Sequence, residues 1–258
     1  MNASRLVLAL CLFATACGSE DSNGTGGAAG TGGAGGSGTG GVAGTAQTVS
    51  YIATIRGIQV PDPPYKDLGP MVGATVCLRG DATKCGTTDS AGKVTVTGIP
   101  AFSQIAMVVS HADYGNTLML FLTTGSDKVQ AFSLPNLEGT SKGFVVAGCP
   151  SPLPAGKGWF FIGLPAGAAA SATGPTGPTK LIYFGTDGVF DPTLDAVPIT
   201  NTEYGGAITC GVAPGVYQID VTGAAGACSL GGGWPSSGHT LEILVDPDTY
   251  TPAHWNCQ

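Results

Sequence analysis

Few residues in this chain have the type and spacing that catalysis or metal binding requires. The 258 residues include three histidines, His111, His239 and His254, and no short motif groups them with other ligands. Zinc needs His, Cys or carboxylate ligands that converge, and the sequence has no C-x-x-C pair. The α/β fold of serine hydrolases needs helices that alternate with strands, and the sequence lacks that pattern. We therefore predict no catalytic residue, no metal and no cofactor, and a hydrolase is the least favoured class of function.

One group of oxygen-bearing side chains has the chemistry of a weak cation site. Asp246, Asp248 and Thr249 carry the oxygen ligands that Ca²⁺ prefers. A solvated Asp-Pro turn explains the same residues more simply, so no metal is predicted there.

Three tryptophans, Trp159, Trp234 and Trp255, offer flat faces on which a sugar ring could stack. Trp234 to Gly238 have the composition of an exposed loop. Packing in a core or between domains is the simpler explanation of all three, and a carbohydrate-binding module is kept as the alternative function.

Cys17 has the clearest chemical context of the eight cysteines. It follows the small residues Ala14 to Ala16, which end an apolar stretch that begins at Leu6. This stretch is far shorter than the roughly 20 residues of a membrane-spanning helix, so residues 1–16 are predicted to be a signal peptide. A cysteine at this position is typical of a bacterial lipoprotein, in which it becomes the first mature residue and carries the lipid. Gly18, rather than Asp, follows it, which favours the outer membrane; an ordinary cleaved signal peptide is the alternative.

Residues 17–46 are predicted to form a flexible tether. Between Gly18 and Gly44, 13 of 27 residues are Gly, and most of the others are Ala, Ser or Thr. Such a segment has almost no apolar side chain whose burial could offset its ordering entropy. We expect a disordered linker with a root-mean-square span of roughly 25 to 30 Å, which would hold the folded part away from a membrane.

Composition favours an all-β chain that does not bind nucleic acid. The sequence has 43 Gly and 18 Pro, but only 10% of its residues are charged, whereas the exposed faces of helices normally carry Glu and Lys. The formal net charge is −7, and the ten Lys and Arg residues are scattered. The basic patch expected of a surface that binds nucleic acid or anionic lipid is therefore absent from the sequence.

The cysteines that follow Cys17 predict disulfides, because an even number in an exported chain is typical of an oxidising compartment. The set is Cys77, Cys85, Cys149, Cys210, Cys228 and Cys257. Cys77 and Cys85 flank a turn and are expected to bond across a hairpin. The other four allow three pairings, and the preferred one joins Cys210 to Cys228 and Cys149 to Cys257.

Alternating apolar residues predict strands in both halves of the folded part. In the first predicted strand, Val49, Tyr51, Ala53 and Ile55 share one face. Other strands are predicted at 72–78, 93–97, 104–110, 117–123, 129–133, 158–163, 181–184, 206–210, 215–222 and 239–245. The predicted second core consists of Phe160, Ile162, Ile182, Phe184, Tyr217, Ile219, Val221, Leu241, Ile243 and Val245. Turn clusters separate the strands at the spacing of a β-sandwich.

An ungapped offset of 114 residues relates the two halves. It places Thr88 to Val96 on Thr202 to Cys210, and it sets Pro100 on Pro214 and Gln104 on Gln218. Both copies contain an acidic turn that ends in Gly, a strand, a turn with Pro, and another strand. This pattern predicts a repeated unit, and chance matching in a Gly-rich chain is the alternative.

The first copy resembles the carboxypeptidase regulatory-like family, whose domains are transthyretin-like β-sandwiches. The resemblance rests on 72–76, on the acidic turn at 88–94, on Gly98 to Ala101, and on 107–109 with Tyr114-Gly115. The Pro-Gly-x-Tyr element of that family is intact only in the second half, at Pro214 to Tyr217. The family's motifs shape turns, and the resemblance implies a folding, adhesion or ligand-presenting module without catalytic residues.

The sequence therefore predicts an all-β protein with four segments: a signal peptide at 1–16, the lipidated cysteine and tether at 17–46, a carboxypeptidase regulatory-like (Ig-like) sandwich at 47–136, and a second, related sandwich at 137–258. The expected function is that of a lipid-anchored, non-enzymatic cell-envelope protein that presents these modules for adhesion, ligand binding or structural support. Its expected partners are the membrane, through the lipid on Cys17, and an unknown envelope protein or glycan.

Overall fold

The computed structural model describes residues 47–60, 66–185, 189–198, 205–223, 228–236 and 239–257, with the backbone alone for 228, 229, 256 and 257. Nineteen strands and one helix occur within these residues. The predicted signal peptide, Cys17 and the tether lie outside the described residues. The all-β class predicted from the sequence is confirmed.

The first half of the chain, residues 47–135, contains eight strands, and the second half contains the helix and eleven strands. The elements of the first half are β1 (Thr48–Gln59), β2 (Lys66–Pro70), β3 (Thr75–Leu78), β4 (Asp81–Thr87), β5 (Lys93–Pro100), β6 (Gln104–His111), β7 (Gly115–Leu122) and β8 (Lys128–Pro135). Those of the second half are α1 (Leu137–Val146), β9 (Trp159–Gly163), β10 (Ala169–Gly174), β11 (Gly177–Thr179), β12 (Ile182–Phe184), β13 (Phe190–Asp191), β14 (Gly206–Ile208), β15 (Gly215–Thr222), β16 (Cys228–Gly232), β17 (Trp234–Pro235), β18 (Thr240–Val245) and β19 (Thr249–Cys257).

In the first half, β1 organises a four-stranded sheet that covers one side of the first core. β1 pairs antiparallel with β5 and β2 and parallel with β8. Its inward face is the predicted one, because Val49, Tyr51, Ala53 and Ile55 are all buried in that core. Strict alternation over these residues is what a strand with one solvated face requires.

The acidic turn between β4 and β5 is held by hydrogen bonds that the side chain of Asp89 accepts. Its Oδ1 accepts the backbone N–H groups of Lys93 and Ala91, both at 2.9 Å. These two bonds hold the pKa of the Asp89 carboxyl below its ordinary value, and the bond from Lys93 has the larger effect. The turn ends at Gly92, whose φ of +71° is a left-handed conformation that glycine adopts readily.

We expect Gly92→Ala to destabilise the protein by roughly 2 kcal/mol or more. A Cβ at this position would lie 2.3 Å from the carbonyl oxygen of Ile55 in β1, and that oxygen belongs to backbone that cannot move freely. Gly73→Ala is the matched control, because Gly73 has a similar φ of +80° but open space where its Cβ would lie. Thermal unfolding of both variants measures the difference, and equal losses would show that the contact with Ile55 is easily relieved.

The second half repeats the pairing scheme of the first. In the first half, β1 pairs antiparallel with β5 and parallel with β8, β3 pairs with β4 and β6, and β6 pairs with β7. In the second half, β9 pairs antiparallel with β14 and parallel with β19, β10 pairs with β11 and β15, and β15 pairs with β18. The offset of 114 residues places β6 on β15, which are corresponding strands in this scheme. Such agreement is what a duplicated unit requires.

One ten-stranded sheet contains strands of both halves. Its order is β13-β12-β14-β9-β19-β7-β6-β3-β4, with β16 also paired to β19. β7 of the first half is apolar on both faces: Met119 and Phe121 lie in the first core, whereas Leu118 and Leu120 lie in the second. A strand buried on both faces has a continuous apolar run instead of alternation.

The second core lies between this long sheet and the five-stranded sheet β11-β10-β15-β18-β17. Eight of the ten residues predicted for it are there, but Ile182 and Phe184 are not. The side chain of Tyr183 enters the second core, so its two neighbours in β12 point to the opposite face of the sheet. On that face Ile182 packs in a third cluster with Phe144 of α1, and Phe184 stacks on Phe190.

The sequence did not predict α1 or β19. α1 contains two glycines that are buried and let it approach its neighbours closely: Gly139 lies so close to Val60 that a Cβ would be 2.1 Å from its carbonyl oxygen. β19 contains Pro252, a residue that usually marks an edge strand or a loop. Among the residues that the structure describes, no helix has the length and apolar character needed to cross a bilayer.

Candidate functional site

The first described residues are fixed to one end of the first sandwich. The carbonyl of Gln47 accepts a hydrogen bond from Ala101 N at 3.0 Å, and its side-chain amide donates to Gly125 O at 3.1 Å. The backbone N–H of Ser50 donates to Asp127 Oδ1 at 2.7 Å. The point at which the predicted tether joins the fold is therefore bonded to the β5–β6 and β7–β8 loops.

Phe102 is the most exposed large apolar side chain at this end. It is 72% exposed and has a φ of +51°, which is unfavourable for a residue with a bulky side chain. The Phe102 ring and the Gln47 side chain both lie close to Gly125. A Cβ added at Gly125 would be 3.0 Å from Phe102 Cζ and 3.3 Å from Gln47 Nε2. A left-handed φ at such a residue costs of the order of 1 to 3 kcal/mol, which the surrounding contacts have to offset.

Two disulfides are present among the cysteines whose side chains are described. Cys77 and Cys85 are bonded across β3 and β4 with a Cα–Cα distance of 4.1 Å, which confirms the predicted hairpin bridge. Cys149 is bonded to Cys210, with a Cα–Cα distance of 5.2 Å. The preferred pairing of Cys149 with Cys257 and of Cys210 with Cys228 is therefore wrong. α1 and the segment after it lie on the same face of the long sheet as the end of β14, which brings Cys149 to Cys210.

The sequence did not show the contacts that join the halves. β19 pairs parallel with β7 at Thr249 and Tyr250, opposite Asn116 and Thr117. Because these strands are about 130 residues apart along the chain, no local pattern marks their pairing.

Arg79 is a second contact between the halves. Its guanidinium makes two hydrogen bonds to the carboxylate of Asp246, at 2.6 and 2.9 Å, and the pKa of Arg79 is raised above its ordinary value by this bond. The Arg79 side chain is about half exposed, so the ion pair contributes little to stability. Its two parallel hydrogen bonds to Asp246 orient the β18–β19 turn.

The three tryptophans are engaged in packing and lie on different strands. The ring of Trp159 stacks on Tyr250 at 4.0 Å between centroids, and Trp255 is buried in the second core. Trp234 lies in β17 and not in a loop, and its indole N–H donates to Ile105 O at 3.1 Å across the halves. The structure therefore does not bring the three rings together as one stacking surface.

The oxygen ligands considered for Ca²⁺ already have protein partners. The carboxylate of Asp246 is bonded to Arg79, and Asp248 Oδ1 accepts the backbone N–H of Gly156 at 2.8 Å. Thr249 donates to Asp246 O at 2.8 Å. No group of three or more His, Cys, Asp or Glu side chains with metal-binding geometry occurs among the described residues.

The histidines lie on different elements. His111 ends β6 and packs against Tyr114, with ring centroids 5.2 Å apart. His239 lies 6.0 Å from Trp255 by the same measure, and His254 in β19 packs against Gly163 of β9. These positions do not place the three imidazoles in one site.

No protein-family model matches the chain, and no curated protein matches it. Among solved structures, the shaft pilin SpaA from Lactobacillus rhamnosus GG is similar over 82% of this chain and 98% of the pilin chain, at 11% identity and a TM-score of 0.22. A variant of the same pilin covers the same shares at 11% identity and a TM-score of 0.23. These TM-scores are too low to show a shared fold, so the function of this chain has to be inferred from its own residues.

Proposed function

We propose that this chain is a lipid-anchored, non-enzymatic cell-envelope protein. Its described residues are a scaffold for adhesion, ligand binding or structural support. The observation that carries the proposal is Cys17, which directly follows small residues and directly precedes a Gly-rich segment. Lipidation would place one end of that segment at a membrane, most simply the outer membrane.

The structure supports the proposal at the other end of the tether. Gln47, Ser50 and their partners hold the chain's entry point at one end of the first sandwich. The exposed ring of Phe102 lies at this same end. A flexible tether that joins the fold at this point limits how far this end can lie from the membrane and leaves the folded part free to reorient.

The proposed modules are carboxypeptidase regulatory-like sandwiches. The acidic turn at Asp89 to Gly92, on which the resemblance rests, forms the hydrogen-bonded entry to β5. The two disulfides favour an oxidising compartment, as expected of an exported protein.

Fractionation of cells that express the full chain tests the proposed location. We expect the protein in the membrane fraction and in the detergent phase after phase separation. Cys17→Ser removes the only proposed lipid site and is expected to move the protein to the aqueous phase or to leave the leader uncleaved. Equal partitioning of the two proteins into the detergent phase would contradict the anchor at Cys17.

A further inference from the structure

The backbone of β16 and β19 brings two further cysteines opposite each other. These strands pair antiparallel, and the register sets Cys228 against Cys257, Ser229 against Asn256, and Leu230 against Trp255. The one irregularity of this ladder lies between Leu230 and Gly232, so the three pairs that lead to Cys228 are consecutive.

Apolar packing fixes this register. Trp255 is buried in the second core, and Leu230 packs against the same core. A slip by one residue would exchange the two faces of β16 and would remove Leu230 from the core. The opposition of Cys228 and Cys257 therefore follows from packing at a neighbouring pair.

We propose that Cys228 and Cys257 form a third disulfide. Residues directly opposite in an antiparallel pair have Cα atoms about 4.5 to 5.5 Å apart, within the range that a disulfide spans. The chain already contains one bond of this kind, because Cys77 and Cys85 are register partners across β3 and β4 and are bonded. Cys149 and Cys210 are bonded to each other and are not competing partners.

The bond requires an oxidant, and the proposal therefore rests on the export that the proposed function includes. Two S–H bonds break and one Sγ–Sγ bond forms. The two electrons and the two protons pass to the disulfide of a thiol oxidoreductase in the exported compartment, whose S–S bond breaks to give its dithiol. The product closes a loop that contains β17 and β18, and it fastens the end of β19 to β16.

A peptide map of the oxidised, full chain tests the pairing, and the choice of protease decides whether it can. Trypsin is unsuitable, because no Lys or Arg follows Lys180, so Cys210, Cys228 and Cys257 would share one peptide. Cleavage after Asp and Glu separates them. After alkylation of free thiols without reduction, we expect the peptide Val221 to Glu242 joined to the peptide Thr249 to Gln258, both unalkylated.

The outcomes separate this proposal from the proposed function. Alkylation of Cys228 and Cys257 while the other two disulfides are intact would overturn the third disulfide and leave export standing. Alkylation of all six cysteines in protein isolated from its own compartment would contradict export as well. In Cys228→Ser, only Cys257 should become reactive to alkylating reagent; a newly reactive Cys149 or Cys210 would show different pairing and overturn the proposal.

Discussion

Leu118→Ala is expected to lower the free energy of unfolding by about 2 to 5 kcal/mol, the range for truncating a buried leucine. Leu118 is fully buried in the second core although it belongs to a strand of the first half. Leu122→Ala makes the same chemical change on the same strand, but Leu122 is 43% exposed. We expect a loss of about 1 kcal/mol or less there.

Denaturant unfolding measures both variants and also tests the shared sheet. All three tryptophans lie in the second half, so fluorescence follows that half, whereas circular dichroism follows the strands of both. We expect the two signals to change together, because β7 contributes side chains to both cores. Two separate transitions, with Leu118→Ala shifting only one, would contradict the coupling of the halves.

Removing the Cys149–Cys210 disulfide, by changing both cysteines to alanine, is expected to cost about 2 to 5 kcal/mol. Its sequence separation is 61 residues, whereas that of Cys77–Cys85 is 8. In the chain-entropy description, the longer loop restricts the unfolded chain more, by about 2 kcal/mol.

The matched control is therefore the double variant in which Cys77 and Cys85 are both alanine. Changing both partners avoids a free thiol in either protein. Thermal unfolding without reductant should give the larger drop in Tm for the Cys149 and Cys210 variant. An equal or smaller drop would show that the bond between the segments that follow α1 and β14 adds little to what packing of Phe144 and Ile208 already supplies.

Features that depend on neighbours in the sequence were predictable. The face shared by Val49, Tyr51 and Ala53 follows from alternation, and the Cys77–Cys85 bond follows from a short hairpin. Asp89 and Gly92 indicate a turn because each supplies what that turn needs, a hydrogen-bond acceptor and a left-handed residue.

Features that depend on residues far apart in the sequence could not be predicted. The pairing of Cys149 with Cys210 depends on where α1 lies, and Gly139 and Gly143 made that helix hard to recognise. In β7, the run from Leu118 to Phe121 indicates burial on two faces. It does not say which strands cover the second face, because that depends on the rest of the fold.

The candidate site also has one part that the sequence indicates and another part that only the structure shows. The proposed role of Cys17 rests on its immediate neighbours in the sequence alone, whereas the bonds of Gln47 to the β5–β6 and β7–β8 loops required the structure. The strain at Phe102 has no sequence signal, because a left-handed φ at phenylalanine is the opposite of what its residue type favours.

The lipid anchor is tested most directly by mass spectrometry of the mature amino terminus, made on the full chain isolated from a bacterial envelope. We expect the first residue to be Cys17 and its peptide to carry the mass of a lipid on the thiol. A water-soluble mature protein that begins at any other residue would contradict the anchor.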